Sequence, residues 1–362
     1  METFNSGFSI GEKILGFAEP PSLRWRGLLG LGLLSLALYL SGLLTWLTPL
    51  PILYAYKYGR QVRALVALLP AVGLLWLCYD GLMPLVTAHY GAESAVKFFF
   101  WLPGIGLSLG ESAWNPAIFG ISYYLFFALM GLLLGEFESQ PYSATRLILQ
   151  TLLLLLIVAV LWIGIVTYGI WDKVIAGLEA YLSSAIREFT KLQAAGEEVR
   201  PQWEYLQSQA PALAHYFVRL LPAMLVNAVL FMLWLNILVA RKIFGSRFFS
   251  YLEPLKRWRF PFAGIWTVIV LVMATFLDAY VLKSEGLSFF AINGLIVLAL
   301  VYFFQGLAIL AYYFSRWSLS PLIRIALYAL LVLFFQPVSF LLMAFGLFDA
   351  WFDFRKLNPK SA

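Results

Sequence analysis

The residues that could carry out catalysis or bind a metal ion are few and widely spaced. The sequence contains one cysteine and two histidines. Cys78 has no second cysteine with which to form a disulfide or a metal site. Neither His89 nor His215 has another histidine or a cysteine at metal-ligand spacing, so surface positions near a membrane edge are favoured for both. We expect no metal ion, no cofactor and no catalytic residue, and this inventory argues against an enzyme.

Acidic and glycine-rich segments offer little more chemistry. Glu111 and Glu136 end apolar segments, and Glu138 follows closely. Paired carboxylates can act as acid and base, but at a membrane edge a solvated side chain is the favoured interpretation. The stretch PGIGLSLG (103–110) lacks the spacing of a dinucleotide fingerprint, and no G-x-x-x-x-G-K-[ST] motif for a P-loop is present. If the protein takes part in transport, the energy would therefore come from a partner protein.

Amide side chains within apolar segments are more informative. Asn227, Asn293, Gln305 and Gln336 lie well inside predicted membrane spans, where an unpartnered polar group is costly. We predict these four as candidate ligand-binding residues. Hydrogen bonding between helices, which contributes about 0.6–2 kcal/mol per bond in a membrane, is nevertheless favoured over a ligand site for each of them.

Composition decides which elements position these residues. The chain is 62% hydrophobic and only 12% charged, about half of the charge that a soluble domain carries. Runs of about 20 apolar residues, each able to span a bilayer as a helix, recur throughout. The fold class is therefore all-α, a polytopic transmembrane helical bundle in contact with membrane lipid. The net charge of +6 is typical of basic cytoplasmic loops and does not indicate nucleic-acid binding.

We predict eight to nine membrane segments. Residues 27–56 are too long for one span, and Pro49 disrupts a continuous helix, so a hairpin of two short or oblique helices is favoured over one kinked span. Residues 96–110 are too short to span and predict a re-entrant or interfacial piece. The apolar segments lie near 27–56, 64–88, 96–110, 114–135, 147–171, 218–240, 263–283, 288–314 and 322–348.

The polar segments predict the orientation and the domain organisation. Six basic residues in 241–259 place this loop in the cytoplasm, together with 57–63 and 316–324. The side of the C-terminus stays open: a single pass through 322–348 places its basic residues outside, and only a reversal at Gln336–Pro337 would bring them inside. The predicted parts are a cytoplasmic N-terminal segment 1–26, a transmembrane module 27–240 that includes an extracytoplasmic helical hairpin 172–216, a basic cytoplasmic loop 241–262, C-terminal transmembrane helices 263–348 and a polar tail 349–362.

Two local structures follow from spacing. Apolar residues recur at three- and four-residue intervals in the first half of 172–216, which predicts a helix with one covered face and one wet face. The covered face should contain Leu178, Leu182, Ile186 and Phe189, and the wet face Glu179, Arg187 and Lys191. Gly306 should let a neighbouring helix approach closely. We predict that Gln305 packs against an antiparallel helix 322–348 and bonds to Gln336 or to a carbonyl that Pro337 leaves free.

Five segments carry a resemblance to known proteins: TPLPILYAYKYGRQVRALVAL (48–68), GLLLGEFESQ (131–140), EPLKRWRFP (253–261), FFQGLAILAYYF (303–314) and GLFDAWFDFRK (346–356). On these the chain resembles the YybS-like family of bacterial membrane proteins, whose domain has no known function. The resemblance implies a multi-pass protein of the bacterial inner membrane.

The chain also resembles the substrate-capturing subunits of energy-coupling-factor vitamin transporters. Those are six-helix modules with both ends cytoplasmic, which residues 27–240 match if 27–56 is a hairpin. Such subunits present small residues of the first helix to a membrane partner, and Ala37 and Ser41 have that spacing. The relation to MreD-like cell-shape scaffolds keeps a structural role open.

These observations predict a transport component that binds a small, partly apolar ligand within its helical bundle and depends on a membrane protein partner for energy. The alternative is a structural membrane scaffold that organises cell-envelope machinery.

Overall fold

The computed structural model describes residues 25–91, 116–194, 201–245 and 248–357. Throughout these ranges the regular structure is helical, without strands, which confirms the all-α prediction. Among the described residues, seven helices are long and apolar enough to cross a membrane, and two shorter apolar helices accompany them. The predicted re-entrant piece 96–110 lies outside the described residues.

Twelve α-helices make up the described part of the chain. A π-helical turn, Leu77–Leu82, joins α2 to α3, and another, Asp278–Leu282, extends α9. The helices are α1 Trp25–Leu40, α2 Pro49–Trp76, α3 Met83–Tyr90, α4 Pro116–Glu138, α5 Ala144–Val166, α6 Trp171–Ala194, α7 Pro201–Ser208, α8 Ala210–Ile243, α9 Ala263–Leu277, α10 Glu285–Arg316, α11 Pro321–Leu333 and α12 Phe335–Phe352.

The helices group into two compact units. The first contains the chain up to Ala159 together with Leu230–Leu252, and the second contains Val160–Val229 and the chain from Glu253 onward. Helix α8 therefore supplies its first part to the second unit and its last part to the first. Each unit is described by itself below.

In the first unit, residues 27–56 form the hairpin favoured by the sequence. Helix α1 ends at Leu40, and α2 begins at Pro49, where a proline needs no backbone hydrogen-bond donor. The Ser35 hydroxyl donates to the Thr48 carbonyl over 2.9 Å, and Leu28 clusters with Ala55. The later residue of the first segment, Ser35, contacts the earlier residue of the second, and the earlier residue, Leu28, contacts the later one, so the two segments run antiparallel.

The predicted loop 57–63 is wrong, because these residues are helical. Helix α2 nevertheless changes direction near them. On α4, Gly131 lies against Ile52 and Gly120 lies against Tyr79. The two glycines are about 16 Å apart along a helix, whereas 27 residues of a straight α2 would cover about 40 Å. The chain therefore bends sharply between Ile52 and Tyr79, and the basic residues of the predicted loop lie within that bent stretch.

In the second unit, residues 322–348 form two helices instead of the one antiparallel helix expected beside Gln305. Helix α11 ends at Leu333, and α12 begins at Phe335. The Phe303 ring lies 6.0 Å from that of Phe335, and the Tyr313 hydroxyl donates to the Phe354 carbonyl over 2.8 Å. Helix α12 thus runs parallel to α10, and α11 runs in the opposite direction and connects the end of α10 to the beginning of α12. The reversal lies beside Gln336–Pro337, where the sequence left it open.

Helices α10 and α12 approach each other at two glycines. A Cβ atom added to Gly306 would overlap the Leu342 carbonyl oxygen, and one added to Gly346 would overlap the Tyr302 carbonyl oxygen. This confirms the close approach expected at Gly306, although the neighbouring helix is parallel. Side-chain-free contact of this kind is a usual source of helix association in membranes.

Helices α6 and α7 form the predicted helical hairpin. The rings of Phe189 and Trp203 lie 6.5 Å apart, and Nδ1 of His215 lies 2.8 Å from Oε1 of Glu179. Leu178, Leu182 and Ile186 are half-buried, whereas Arg187 and Lys191 are exposed, which agrees with the expected faces. Two side chains differ from the expectation: Phe189 is 54% exposed, and Glu179 is half-buried.

Candidate functional site

The structure brings two of the four predicted amides, Asn227 and Asn293, to the contact between α8 and α10. Asn293 Nδ2 donates to the Arg219 carbonyl over 3.0 Å, and its Oδ1 accepts from the Ala223 N–H over 3.0 Å. In a regular helix these two backbone groups bond to each other. Pro222 lies inside α8 and disturbs such bonding. The Asn293 amide therefore bonds to the backbone of α8 at this proline.

Asn227 lies one turn further along α8. Its Nδ2 donates to the Ile296 carbonyl of α10 over 3.1 Å. Its Oδ1 is buried and has no hydrogen-bond partner among the described residues. A buried amide oxygen without a partner costs about 1–3 kcal/mol. The Asn227 side chain is therefore half-engaged in helix packing and half available to a donor from a ligand or a water molecule.

Charged groups lie near the beginning of this helix pair. Arg219 Nη2 donates to the Glu285 carbonyl over 2.7 Å. The buried carboxylate of Asp278 accepts from the Ser284 N–H over 2.6 Å. Buried or half-buried ionisable groups in apolar helices mark functional regions more often than ordinary packing. Together with the two asparagines, they give α8 and α10 a polar contact that starts at the first turn of α10.

Gln305 lies in a different place, about 18 Å from Asn293 along α10. Its Oε1 accepts from the Phe260 N–H over 3.1 Å, and its Nε2 donates to Oδ2 of Asp349 over 3.2 Å. The predicted bond to Gln336 is therefore wrong. The reason is the break at Phe334, which starts a new helix and places its later residues beside Gln305.

Asp349 is the centre of a buried charged cluster. It is fully buried, and its Oδ2 accepts from Arg355 Nη2 over 2.7 Å, with Arg259 Nε at 3.5 Å. Arg355 Nη1 also donates to the carbonyls of Lys256 and Trp258, over 3.0 and 2.9 Å. Buried charges persist where they are paired and hydrogen-bonded. The cluster therefore fastens the C-terminal segment to residues 256–260.

Gln336 is exposed at the beginning of α12. Its backbone carbonyl accepts from the Ser339 hydroxyl over 2.8 Å, which is a contact within the same helix. The four predicted residues thus fall in three places: Asn227 with Asn293, Gln305 in the cluster around Asp349, and Gln336 at the surface of the described protein.

A second charged cluster lies in the first unit. Glu138 is 5% exposed and forms an ion pair with Lys57, and its Oε1 accepts from the Phe249 N–H over 2.7 Å. Lys57 Nζ also lies 4.4 Å from the centre of the Phe248 ring. The Tyr56 hydroxyl donates to Glu136. The expectation of a solvated Glu138 is wrong. Tyr56 lies against Gly135 of α4, so the next residue of α2, Lys57, reaches the end of α4.

Sequence reasoning missed both clusters as units. It singled out Glu136 and Glu138 and quoted the segments that contain Lys57 and Asp349, but nothing in the spacing joined acid to base. The ion pairs connect residues that are 81 positions apart in one cluster and 90 in the other. In the described part of the chain, no group of three His, Cys, Asp or Glu side chains could hold a metal ion.

Comparison with known proteins adds one match. A family model described as a predicted membrane protein (DUF2232) matches residues 81–350, well over half of the chain. No curated protein and no solved structure matches the chain. The matched range contains all of α8 and α10 and α12 as far as residue 350, and with them Asn227, Asn293 and Gln305.

Proposed function

The chain belongs to the DUF2232 family of predicted membrane proteins, and we propose that it binds a small, partly apolar ligand between α8 and α10 as a transport component of the bacterial inner membrane. The observation that carries the proposal is the buried Oδ1 of Asn227, which has no partner among the described residues. A hydroxyl, amide or amine of a ligand would supply the missing donor.

The surroundings support this assignment. Asn293 uses both ends of its amide on the backbone of α8, so it holds the two helices in register and leaves the ligand contact to Asn227. Ligand sites in proteins are mostly apolar with a few well-placed polar groups. The apolar lengths of α8 and α10 supply the first requirement, and Asn227, with Arg219 two turns earlier, supplies the second.

Energy for transport would come from a membrane protein partner, because the sequence has no P-loop motif. The side of α1 that carries Ala37 and Ser41 is a candidate contact surface. Ala37 and Ser41 are both exposed. Small exposed residues at this spacing allow the close approach of a helix from another protein.

The experiment is native mass spectrometry of the protein released from mild detergent. We expect a small molecule bound at one copy per chain in the wild type, and its loss in Asn227→Leu. Asn236→Leu is the matched control: Asn236 lies on the same helix, also donates to backbone carbonyls and also has a buried Oδ1 without a described partner, but it belongs to the first unit. Equal retention in both variants, or no bound molecule in the wild type, would reject the proposal.

A second candidate is a structural scaffold for cell-envelope proteins. It is favoured by the observation that the side-chain amides of Asn293 and Gln305 form hydrogen bonds within the protein. A stable protein partner that co-purifies with a ligand-free chain would support the scaffold instead of the transport component.

A further inference from the structure

Three exposed basic residues lie close together in the second unit: Arg257, Arg316 and Lys356. Each of them directly follows, in sequence, a residue whose side chain hydrogen-bonds to another part of this unit: Lys256, Ser315 or Arg355. Lys256 Nζ donates to the Ser315 hydroxyl over 2.7 Å, and Arg355 Nη1 donates to the Lys256 carbonyl over 3.0 Å. Because sequence neighbours are separated by only about 3.8 Å between Cα atoms, these two bonds hold the three exposed cations at one edge. We call Arg257, Arg316 and Lys356 the basic edge.

Two carboxylates close in sequence to Lys356 are already engaged. Asp349 bonds to Arg355 at 2.7 Å, and Asp353 bonds to Arg259 at 3.0 Å. Among the described residues, no ion pair is formed by the three cations of the basic edge. Their positive charge is therefore not cancelled within the described part of the chain, and it is available to an anion.

Aromatic and apolar side chains surround the basic edge. Trp317 is 62% exposed and its ring lies 5.3 Å from that of Tyr313 in a tilted arrangement, while Trp351 is 50% exposed at the end of α12. Tryptophan at such positions lies at the level of the lipid headgroups. Leu322, in the first turn of α11, is 79% exposed. An apolar surface that ends in tryptophans and then in cations matches one leaflet, with hydrocarbon first and charged headgroups beyond it.

We propose that the basic edge binds the phosphate groups of anionic phospholipids. The two arginines can each donate several hydrogen bonds to phosphate oxygens in a planar arrangement, and Lys356 adds a compact positive charge. The fastening bonds of Lys256 and Arg355 keep the cations together before a lipid arrives. This proposal rests on a different surface from Asn227, and neither depends on the other.

The test compares lipid binding by three proteins in a neutral detergent at low ionic strength. They are the wild type, the variant Arg257→Gln/Arg316→Gln/Lys356→Gln, and a control with the same loss of charge, Lys173→Gln/Arg187→Gln/Lys191→Gln, whose three residues are exposed on α6. Native mass spectrometry follows the binding of phosphatidylglycerol and, separately, of phosphatidylcholine. Inorganic phosphate is added as a competitor in a third series.

We expect the basic-edge variant to lose about 100-fold in affinity for phosphatidylglycerol, since each surface cation contributes roughly fivefold. The control should change less than about threefold, phosphatidylcholine should bind weakly to all three proteins, and inorganic phosphate should not displace the lipid. Each single substitution gives a milder version of the same result if the triple variant is hard to purify. Unchanged binding by the basic-edge variant, an equal loss in the control, or displacement by inorganic phosphate would overturn the proposal.

Discussion

Gln305 on α10 donates from Nε2 to Oδ2 of Asp349 on α12 over 3.2 Å, one position before Gly306, where the two helices touch without a side chain between them. The glycine makes the amide contact possible, because a bulkier residue would move α12 away. The amide in turn bonds to a carboxylate that two arginines neutralise. Close packing and charge pairing thus depend on each other at this end of the second unit.

The first prediction concerns the glycine. Gly306→Leu should lower the free energy of unfolding by about 3 kcal/mol, because the new side chain overlaps the backbone of Leu342, which cannot move aside as a side chain can. Gln305→Leu should cost less, since an apolar side chain can repack. Gly164→Leu is the control, because a Cβ there meets nothing within 4 Å. Thermal unfolding in detergent compares them, and a Gly306→Leu protein as stable as the control would refute close contact.

The second prediction concerns the buried ion pair. Arg355→Met removes the principal partner of a fully buried carboxylate, so it should destabilise the protein by about 3 kcal/mol. The control is Lys356→Met next to it, which is exposed and should change stability by less than about 0.5 kcal/mol. Both are measured by thermal unfolding without added anionic lipid. Similar stability of the two variants would show that the Asp349 cluster contributes nothing.

The third prediction concerns the first unit. Glu138→Gln should destabilise by about 1–3 kcal/mol, because it removes the charge that pairs with Lys57 and weakens the bond from the Phe249 N–H. Glu136→Gln should cost less, since the Tyr56 hydroxyl is a neutral donor that an amide oxygen can also satisfy. The midpoint of thermal unfolding reports both, and a larger shift for Glu136→Gln would contradict the assigned roles.

The fourth prediction concerns α6. In a Cys78→Ser background, Arg187→Cys and Lys191→Cys should react quickly with a water-soluble maleimide, whereas Thr190→Cys should react slowly. The reason is that Arg187 and Lys191 are exposed and Thr190 is only 2% exposed. Mass spectrometry of labelled protein after timed quenching gives the rates. Equal rates at all three positions would mean that α6 has no covered face.

Most helices could be predicted from the sequence, because apolar length alone identifies them. Residues 263–283 and 288–314 were predicted within three residues of α9 with its π-helical turn and of α10. The periodicity of apolar residues does not show where the chain reverses its direction. Residues 57–63 remain helical within the stretch where α2 bends, and α11 ends at Leu333, four residues before the proline at which the sequence left a reversal open. Both reversals depend on tertiary contacts that a local pattern does not contain.

The candidate sites were harder to predict for a related reason. Asp349 belongs by composition to a polar tail, so its burial was not expected. It becomes buried because Asp353 adopts a left-handed backbone conformation with φ of 40°, which ends α12 and turns Arg355 back toward Asp349. Asn227 and Asn293 were identified because an amide deep in an apolar helix needs a partner. The sequence did not predict that each asparagine would bond to the backbone of the other's helix.

The reversal between α11 and α12 is the central structural claim, since it brings the C-terminal segment to residues 256–259 and creates both the Asp349 cluster and the basic edge. The direct measurement uses sealed membrane vesicles of one orientation and the Cys78→Ser background. Arg257→Cys and Lys356→Cys are labelled separately with a membrane-impermeant maleimide, before and after the vesicles are opened with detergent. We predict that both positions lie on the same side, either both labelled or both protected in sealed vesicles. Labelling of one position and protection of the other would show that the segment after α10 crosses the membrane once, and would contradict the reversal.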